Sequence, residues 1–495
     1  MCAFSTAASD TAESKYARSK VHVDVSTTEQ PADRSRFLPL LAATAMGAYL
    51  LVIAGATTAL TDASAACSTW PACGGSYPFD GAAVTIAWTH RLLAALVGIG
   101  VIASLVVGWR TESTRVRWAL LIPAVLYPIQ VGIGAVVATT GAPAMISAIH
   151  LLVGTLIFGG LLVGLAWALE QRFPTRERDE PLTKNPSSES PQKPTPEPTP
   201  TVSAPTTGFR ATLGAYFSLM KPRLMWLLCL VAAAAMTLAV GPALTVETIV
   251  ATLFAGTLAI GASGTFNHVL ERDVDQRMNR TADRPLATEI VSVRNALAFG
   301  TILALLSLSV FYLFVNALAA LLGLTAIVFY SVIYTLVLKP NTVQNTVIGG
   351  AAGALPALIG WAAATGEIGL PALVLAGVIF CWTPAHFYNL ALAYKDDYER
   401  GGFPMMPVVR GERITRKHIV YYLGATLIGA SMLAAVDTLG WLFAATSVLF
   451  GAIFLREVMS LHREQTRSAA MRSFHASNAY LGMLLFAIII DALVL

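Results

Sequence analysis

Thirteen apolar runs, each near the ~20 residues needed to cross a bilayer, leave this chain little choice of architecture. They lie at about 37–58, 86–108, 118–140 and 146–168, then, after an interruption, at about 224–242, 249–268, 294–315, 318–338, 345–364, 370–391, 418–436, 439–455 and 476–495. Lipid offers the backbone no hydrogen bonds, so such spans must be helices. The expected fold is an all-α polytopic membrane protein, a four-helix bundle followed by a nine-helix bundle. Only 13% of the 495 residues are charged and 55% are hydrophobic, so the chain has about half the polar coat of a soluble domain and lipid is its expected surroundings. The net charge of +4 is scattered over short loops and not gathered into a patch, which excludes nucleic-acid binding.

Loop charges set the orientation, since cytoplasmic loops collect Lys and Arg. One side receives the N-terminal tail (Lys15, Lys20, Arg34, Arg36) and the basic loops at 109–117, 269–294, 339, 393–417 and 456–475. The other side, with loops at 59–85, 141–145, 243–248, 365–369 and 437, has no basic residue. The N-terminus and basic loops are therefore expected in the cytoplasm and the C-terminus outside, in the cell membrane of a prokaryote. Arg91 alone stands near the outer side. Residues 1–36 read as a disordered cytoplasmic tail; Asp10, Glu13, Asp24, Glu29 and Asp33 argue against a mitochondrial presequence, and no cleavable secretory signal precedes the first span. Residues 170–209, rich in Pro, Ser, Thr and charge, read as an extended linker between a 37–169 module and a 210–495 domain. Cutting this linker is expected to open no packed interface.

Residues 261–286, GASGTFNHVLERDVDQRMNRTADRPL, carry Asn267, Glu271 and Asp275 at four-residue spacing, which places them on one helix face with a drift of about 40° per step. Asp273 points away from that face, and His268 is expected at the interface. Arg277, Arg280 and Arg284 follow at once. Acid beside base at a helix mouth suits Mg²⁺ bridging a phosphate, because this ion takes few carboxylates and completes its shell with phosphate oxygens and water. A second inner-side segment ends a span with Lys395, Asp396, Asp397 and Arg400. Two such loops suit a diphosphate, and a dry helical bundle suits an allylic carbocation that water must not reach.

The segments MKPR at 220–223, NHVLERDVDQRMNRTADRP at 267–285, YTLVLKP at 334–340, NTVIGGAAGALPALIGW at 345–361, WTPAHF at 382–387 and YKDDYERGGFPMMPVV at 394–409 resemble the heme O synthases, or protoheme IX farnesyltransferases, over about 215–495. The resemblance implies an intramembrane enzyme that adds the farnesyl group of farnesyl diphosphate to the 2-vinyl group of heme B, with water quenching the cation to give heme O. It implies that Asn267, Glu271 and Asp275 hold Mg²⁺, that Asp397 with Asp396 holds a second ion, and that Lys221, Arg280, Arg284 and Lys395 contact diphosphate. Two departures stand out: Glu271 occupies a position where the family often has Asp, and Asp396 and Asp397 are adjacent instead of spaced. His386, roughly 16 Å deeper than Asp397 on a continuous helix, is a candidate ligand or orienting contact for heme B.

In the four-helix group, His90 and His150 begin spans that both run inward, so their imidazoles share a depth and form a candidate bis-His heme site. Arg91 would then neutralise a propionate. Cys67 and Cys73 share an outer loop that permits a disulfide; free thiols are the alternative, and zinc would need ligands that the loop does not supply. Residues 67–91 and 130–168 resemble one half of heme A synthase. Ala87 stands where the catalytic half of that family has glutamate, which implies heme binding or relay and a separate heme A synthase as partner. The rival readings are a prenyltransferase with a quinone-precursor acceptor, a bifunctional maker of heme O and heme A, and a non-catalytic heme carrier.

Overall fold

The apolar runs become helices that overshoot them. The computed structural model describes residues 32–59, 67, 69–73, 80–141, 144–175, 208–437 and 439–494. Its four N-terminal helices are α1 (Ala32–Ala59), α2 (Ala82–Thr111), α3 (Thr114–Thr140) and α4 (Ala144–Arg172). The larger group begins with α5 (Phe209–Leu219), α6 (Pro222–Val240), α7 (Val246–Leu270), α8 (Arg272–Asp275), α9 (Val293–Phe314) and α10 (Ala317–Val328). A π-helical stretch, Phe329–Leu338, carries α10 into α11 (Lys339–Asn341). Then come α12 (Asn345–Thr365), α13 (Leu370–Ala393), α14 (Lys395–Arg400), α15 (Met406–Val409), α16 (Glu412–Val436), α17 (Trp441–Glu464) and α18 (Arg467–Val494). Among the described residues, 13 helices are long and apolar enough to cross a membrane, and the protein is a multi-pass membrane protein. The runs near 418–436 and 476–495 gain extra turns at the basic-loop end, because a helix in progress satisfies its own backbone while Arg and Glu leave the apolar layer. Similarly, α1 takes in Ala32–Arg36, which the sequence reading left in the tail; residues 1–31 lie outside the described residues, as does 176–207 of the expected linker.

The expectation that cutting the linker would open no packed interface is corrected. Helices α1 and α4 pack on α16 and α17, and one apolar cluster runs from Phe37, Leu41 and Leu162 through Leu423 and Leu427 to Phe454. Gly424 makes room: a Cβ there would lie 2.7 Å from Leu162 Cδ1. Trp167 Nε1 donates to the Tyr421 hydroxyl at 2.7 Å, and the Tyr49 and Ser447 hydroxyls meet at 2.6 Å. At the basic-loop end Glu170 reaches Lys417 at 2.9 Å and Arg413 at 3.5 Å. The linker's composition governs chain stiffness alone. The packing is written instead in helix faces, where Ile419, Val420, Leu423 and Leu427 present a buried row that small-residue contacts can hold in lipid.

Candidate active site

Asn267, Glu271 and Asp275 do converge, although α7 ends between them. The Glu271 N–H still donates to the Asn267 carbonyl at 2.9 Å and the Asp275 N–H to that of Glu271 at 2.8 Å, so the four-residue register runs on into α8. All three are buried, at 2%, 6% and 3% exposure, while the Asp273 side chain is 79% exposed beside Arg272. Each buried oxygen-bearing group has its own cation. Lys221 Nζ donates to Asn267 Oδ1, Lys339 Nζ lies 2.6 Å from Glu271 Oε1, and Arg284 Nη1 donates to both Asp275 oxygens at 2.8 Å. Three cations thus face two carboxylates. Burial pushes the Asp275 carboxyl up, and Arg284 offsets only part of this. Burial acts the same way on Glu271, but Lys339 and Lys221 outweigh it and hold that carboxyl below its ordinary range. Burial likewise pulls the Lys221 ammonium down to about 7.

Lys221 reaches this cluster through a constrained turn. Its φ of 56° is left-handed, a conformation that a lysine adopts at a cost of about 1–3 kcal/mol when the surroundings impose it. The α5–α6 turn is pressed on Gly264, where a Cβ would sit 2.9 Å from the Leu219 carbonyl oxygen. The opposing wall is the π-helical stretch. There Thr335 Oγ1 donates to the Tyr330 carbonyl five residues back at 2.8 Å, Asn267 Nδ2 donates to Thr335 Oγ1 at 3.0 Å, and Lys221 reaches the Tyr330 hydroxyl at 3.2 Å. π-helical turns gather at functional sites, and this one brings Tyr330, Thr335 and Lys339 to the same cluster.

Sequence reasoning missed Lys339, although the YTLVLKP segment contained it. His268, in the last turn of α7, is 4% exposed, with Nδ1 3.9 Å from Asp275. Next to Lys221 and Tyr330 opens an apolar groove, about 740 Å³ with the open solvent it includes, walled by Leu224, Leu228, Leu253, Ile260 and Pro356.

The second loop packs on the first: Arg280 Nη2 donates to the Tyr398 hydroxyl at 3.3 Å, and Lys339 lies 4.3 Å over the Phe403 ring. Asp397 is buried and pairs with Arg400, Asp396 is exposed, and Lys395 turns to Glu412 at 3.3 Å. These residues and Arg280 line a polar cavity of about 2270 Å³ that includes open solvent. Lys395 therefore has a carboxylate partner of its own on α16. His386 is enclosed, stacked on Trp382 at 4.4 Å and Phe474 at 4.2 Å, with Nδ1 2.7 Å from Ser477 Oγ.

In the N-terminal group His90 lies on α2 and His150 on α4. Gln130 Nε2 is 3.4 Å from His150 Nε2. The nitrogens His150 Nδ1 and Trp88 Nε1 and the oxygen Gln130 Oε1 are buried without hydrogen-bond partners. Cys67 and Cys73 are joined, with Cα atoms 4.9 Å apart. The Arg91 guanidinium donates to the Pro71 carbonyl at 2.8 Å and the Cys67 carbonyl at 3.4 Å. The lone basic residue of that side thus also ties the backbone of the disulfide loop.

A membrane bundle in which an apolar groove ends at a cluster of buried acids and surplus cations has the makings of an intramembrane prenyltransferase. The sequence agrees, since residues 226–484 match the UbiA prenyltransferase family and the chain belongs to it. Several relatives within that family carry the name protoheme IX farnesyltransferase. The protoheme IX farnesyltransferase of Haloarcula marismortui is 63% identical over 94% of this chain and 100% of that relative. Protoheme IX farnesyltransferase 1 of Natronomonas pharaonis is 61% identical over 92% and 98%. That of Saccharopolyspora erythraea is 44% identical over 59% of this chain and 94% of itself. Residues 38–221 match the cytochrome oxidase assembly protein family. Among solved structures, a UbiA homolog from Archaeoglobus fulgidus bound to DMAPP and Mg²⁺ is 18% identical, with a TM-score of 0.44 over 55% of this chain and 98% of that one.

Proposed function

We propose that this chain transfers a farnesyl group from farnesyl diphosphate to the 2-vinyl group of heme B, giving heme O. The observation that carries this reading is the meeting of groove and charge at Lys221 and Tyr330, which border the apolar groove while Lys221 also contacts the Asn267 cluster. The prenyl tail lies in the groove and the diphosphate at Lys221, Lys339 and Arg284, with Arg280 on the side of the second loop. As the C1–O bond of farnesyl diphosphate breaks, the electron pair leaves with pyrophosphate, whose charge these cations stabilise. The vinyl terminus forms the new C–C bond, which moves the cation to the carbon beside the porphyrin ring. Water adds its hydroxyl there and releases one proton. Apolar walls keep water from the farnesyl cation before that step.

Two carboxylates and one amide oxygen on one face, beside cations suited to phosphate, suit Mg²⁺, which keeps few protein ligands beside phosphate and water. Asn267, Glu271 and Asp275 would hold it, and Asp397 with Asp396 a second ion; when bound, the ion neutralises charge on the leaving diphosphate. Basic loops and the N-terminus face the cytoplasm, and the C-terminus the outside. The N-terminal module holds heme between His90 and His150, where the orphaned polar atoms gather, and heme O passes to a separate heme A synthase. The test is direct. Purified full chain given heme B, farnesyl diphosphate and Mg²⁺ yields a product with the mass of heme O, one pyrophosphate being released per turnover; unchanged heme B, or prenylation of a quinone precursor instead, would overturn the reading.

A further inference from the structure

The polar cavity beside α14 holds guanidinium groups that its own carboxylates do not satisfy. Asp397 pairs with Arg400, Glu412 is shared by Lys395 at one oxygen and Arg416 at the other, and the exposed Asp396 also lines the cavity. Arg416, on the second turn of α16, is 1% exposed and lines this cavity. Its Nη1 stands 3.7 Å from Glu412, while its Nε and Nη2 are buried with no hydrogen-bond partner. The Nε2 of neighbouring His462 is unpartnered too, so neither side of that pair satisfies the other. Arg467, at the start of α18, and Arg280 both stack on Tyr394, at 4.6 Å and 5.0 Å. Neither has a carboxylate in salt-bridge range among the described residues. A buried guanidinium with two orphaned nitrogens is strongly unfavourable unless an anion completes it.

We propose that this cavity seats the paired carboxylate side chains of a porphyrin acceptor, with Arg416 and Arg467 as their partners. The inference rests on the farnesyl-transfer reading for the identity of the acceptor, and it assigns the acceptor two guanidinium groups, Arg416 and Arg467, that the diphosphate does not use, in the cavity that Asp396, Asp397 and Arg280 also line. Both substrates of that reaction are anionic. The diphosphate has Lys221, Lys339 and Arg284 at the end of the groove, whereas the carboxylates leave from the porphyrin edge remote from the reacting vinyl and need cations elsewhere. Planar guanidinium groups suit carboxylates because two N–H donors match two oxygens.

The test compares binding of protoporphyrin IX and of its dimethyl ester to the detergent-solubilised full chain, followed by tryptophan quenching. A metal-free porphyrin avoids ligation by His90 or His150, and the ester keeps the ring but removes both charges. Arg416→Met should weaken binding of the diacid by about 10- to 100-fold, the size of a lost charge-assisted hydrogen-bond pair, and leave the ester and farnesyl diphosphate unaffected. Arg467→Gln, at an exposed residue, should lower diacid affinity in the same selective way and serves if Arg416→Met does not fold. Equal loss for diacid and ester, no loss in either variant, or a loss confined to farnesyl diphosphate would overturn the proposal. These outcomes are read without turnover, so absence of heme O would count against the reaction and not against this site.

Discussion

Replacing Lys339 by Met removes the cation paired with the buried Glu271 carboxylate and nearly preserves the side-chain volume. Lys339 Nζ and Glu271 Oε1 are 2.6 Å apart, with side chains 15% and 7% exposed, so solvent screens the pair little. Breaking a buried pair from one side costs about 3–5 kcal/mol, because the partner left behind is charged and dry. Even the lower figure is roughly a hundredfold in an equilibrium. Lys339 is also the larger of the two cations that hold Glu271 below its ordinary range against burial. Without it burial prevails, and Glu271 takes up a proton at higher pH. The sign follows: a carboxylate held low functions down to acidic pH, so raising it removes function from the acidic side first. Heme O formation by Lys339→Met should fall about a hundredfold near neutrality and recover in part as pH rises, whereas Lys339→Arg should keep the wild-type profile with a modest loss. The assay is initial rate against pH in detergent, with insertion checked by size-exclusion chromatography. A folded Lys339→Met protein with wild-type rate and an unshifted acidic limb would refute the assignment of Lys339 to this site.

Other outcomes follow from the same contacts. Residues 210–495 expressed alone should insert but melt at lower temperature than the full chain, since the cut bares the α16 and α17 face that α1 and α4 cover; an equal thermal midpoint in the same detergent would contradict this. His90→Ala or His150→Ala should abolish a low-spin heme spectrum in the full chain, and a spectrum indifferent to both would remove heme from that module. Arg91→Gln should speed reduction of the Cys67–Cys73 bridge by a thiol reagent, because Arg91 ties the loop through the Pro71 and Cys67 carbonyls; unchanged kinetics would show that those bonds do not protect it.

Periodicity and loop charge carried the helix count and the convergence of Asn267, Glu271 and Asp275, because hydrogen bonding every four residues places them together whether or not the helix formally continues. They did not carry the contribution of the π-helical wall. An α-helical period joins Tyr330 to Tyr334, and only the five-residue step seen between Thr335 and Tyr330 brings Thr335 and Lys339 to the cluster. The hold of Arg91 on the Pro71 and Cys67 carbonyls was not legible, because loop carbonyls have no signature in composition. The packed seam between the two helical groups was missed for a related reason: a linker rich in Pro and Ser reports its own stiffness, whereas docking depends on which faces of α1, α4 and α16 are small or apolar. Lys395 reads as a diphosphate ligand in a linear motif, which does not show that Glu412, 17 residues on, is its neighbour in space.

On the farnesyl-transfer reading, the cluster at the end of α7, and not merely an acidic loop, activates the diphosphate. Asp275→Asn and Asp273→Asn test it side by side, since the two residues are two positions apart and differ in burial: Asp275 is 3% exposed and the Asp273 side chain 79%. Pyrophosphate release and heme O mass, measured with farnesyl diphosphate, heme B and saturating Mg²⁺, should fall at least about a hundredfold in Asp275→Asn, the scale of a lost charge stabilisation in a dry site, and stay within a few-fold of wild type in Asp273→Asn. Equal activity in the two variants, or full activity in Asp275→Asn, would contradict the account.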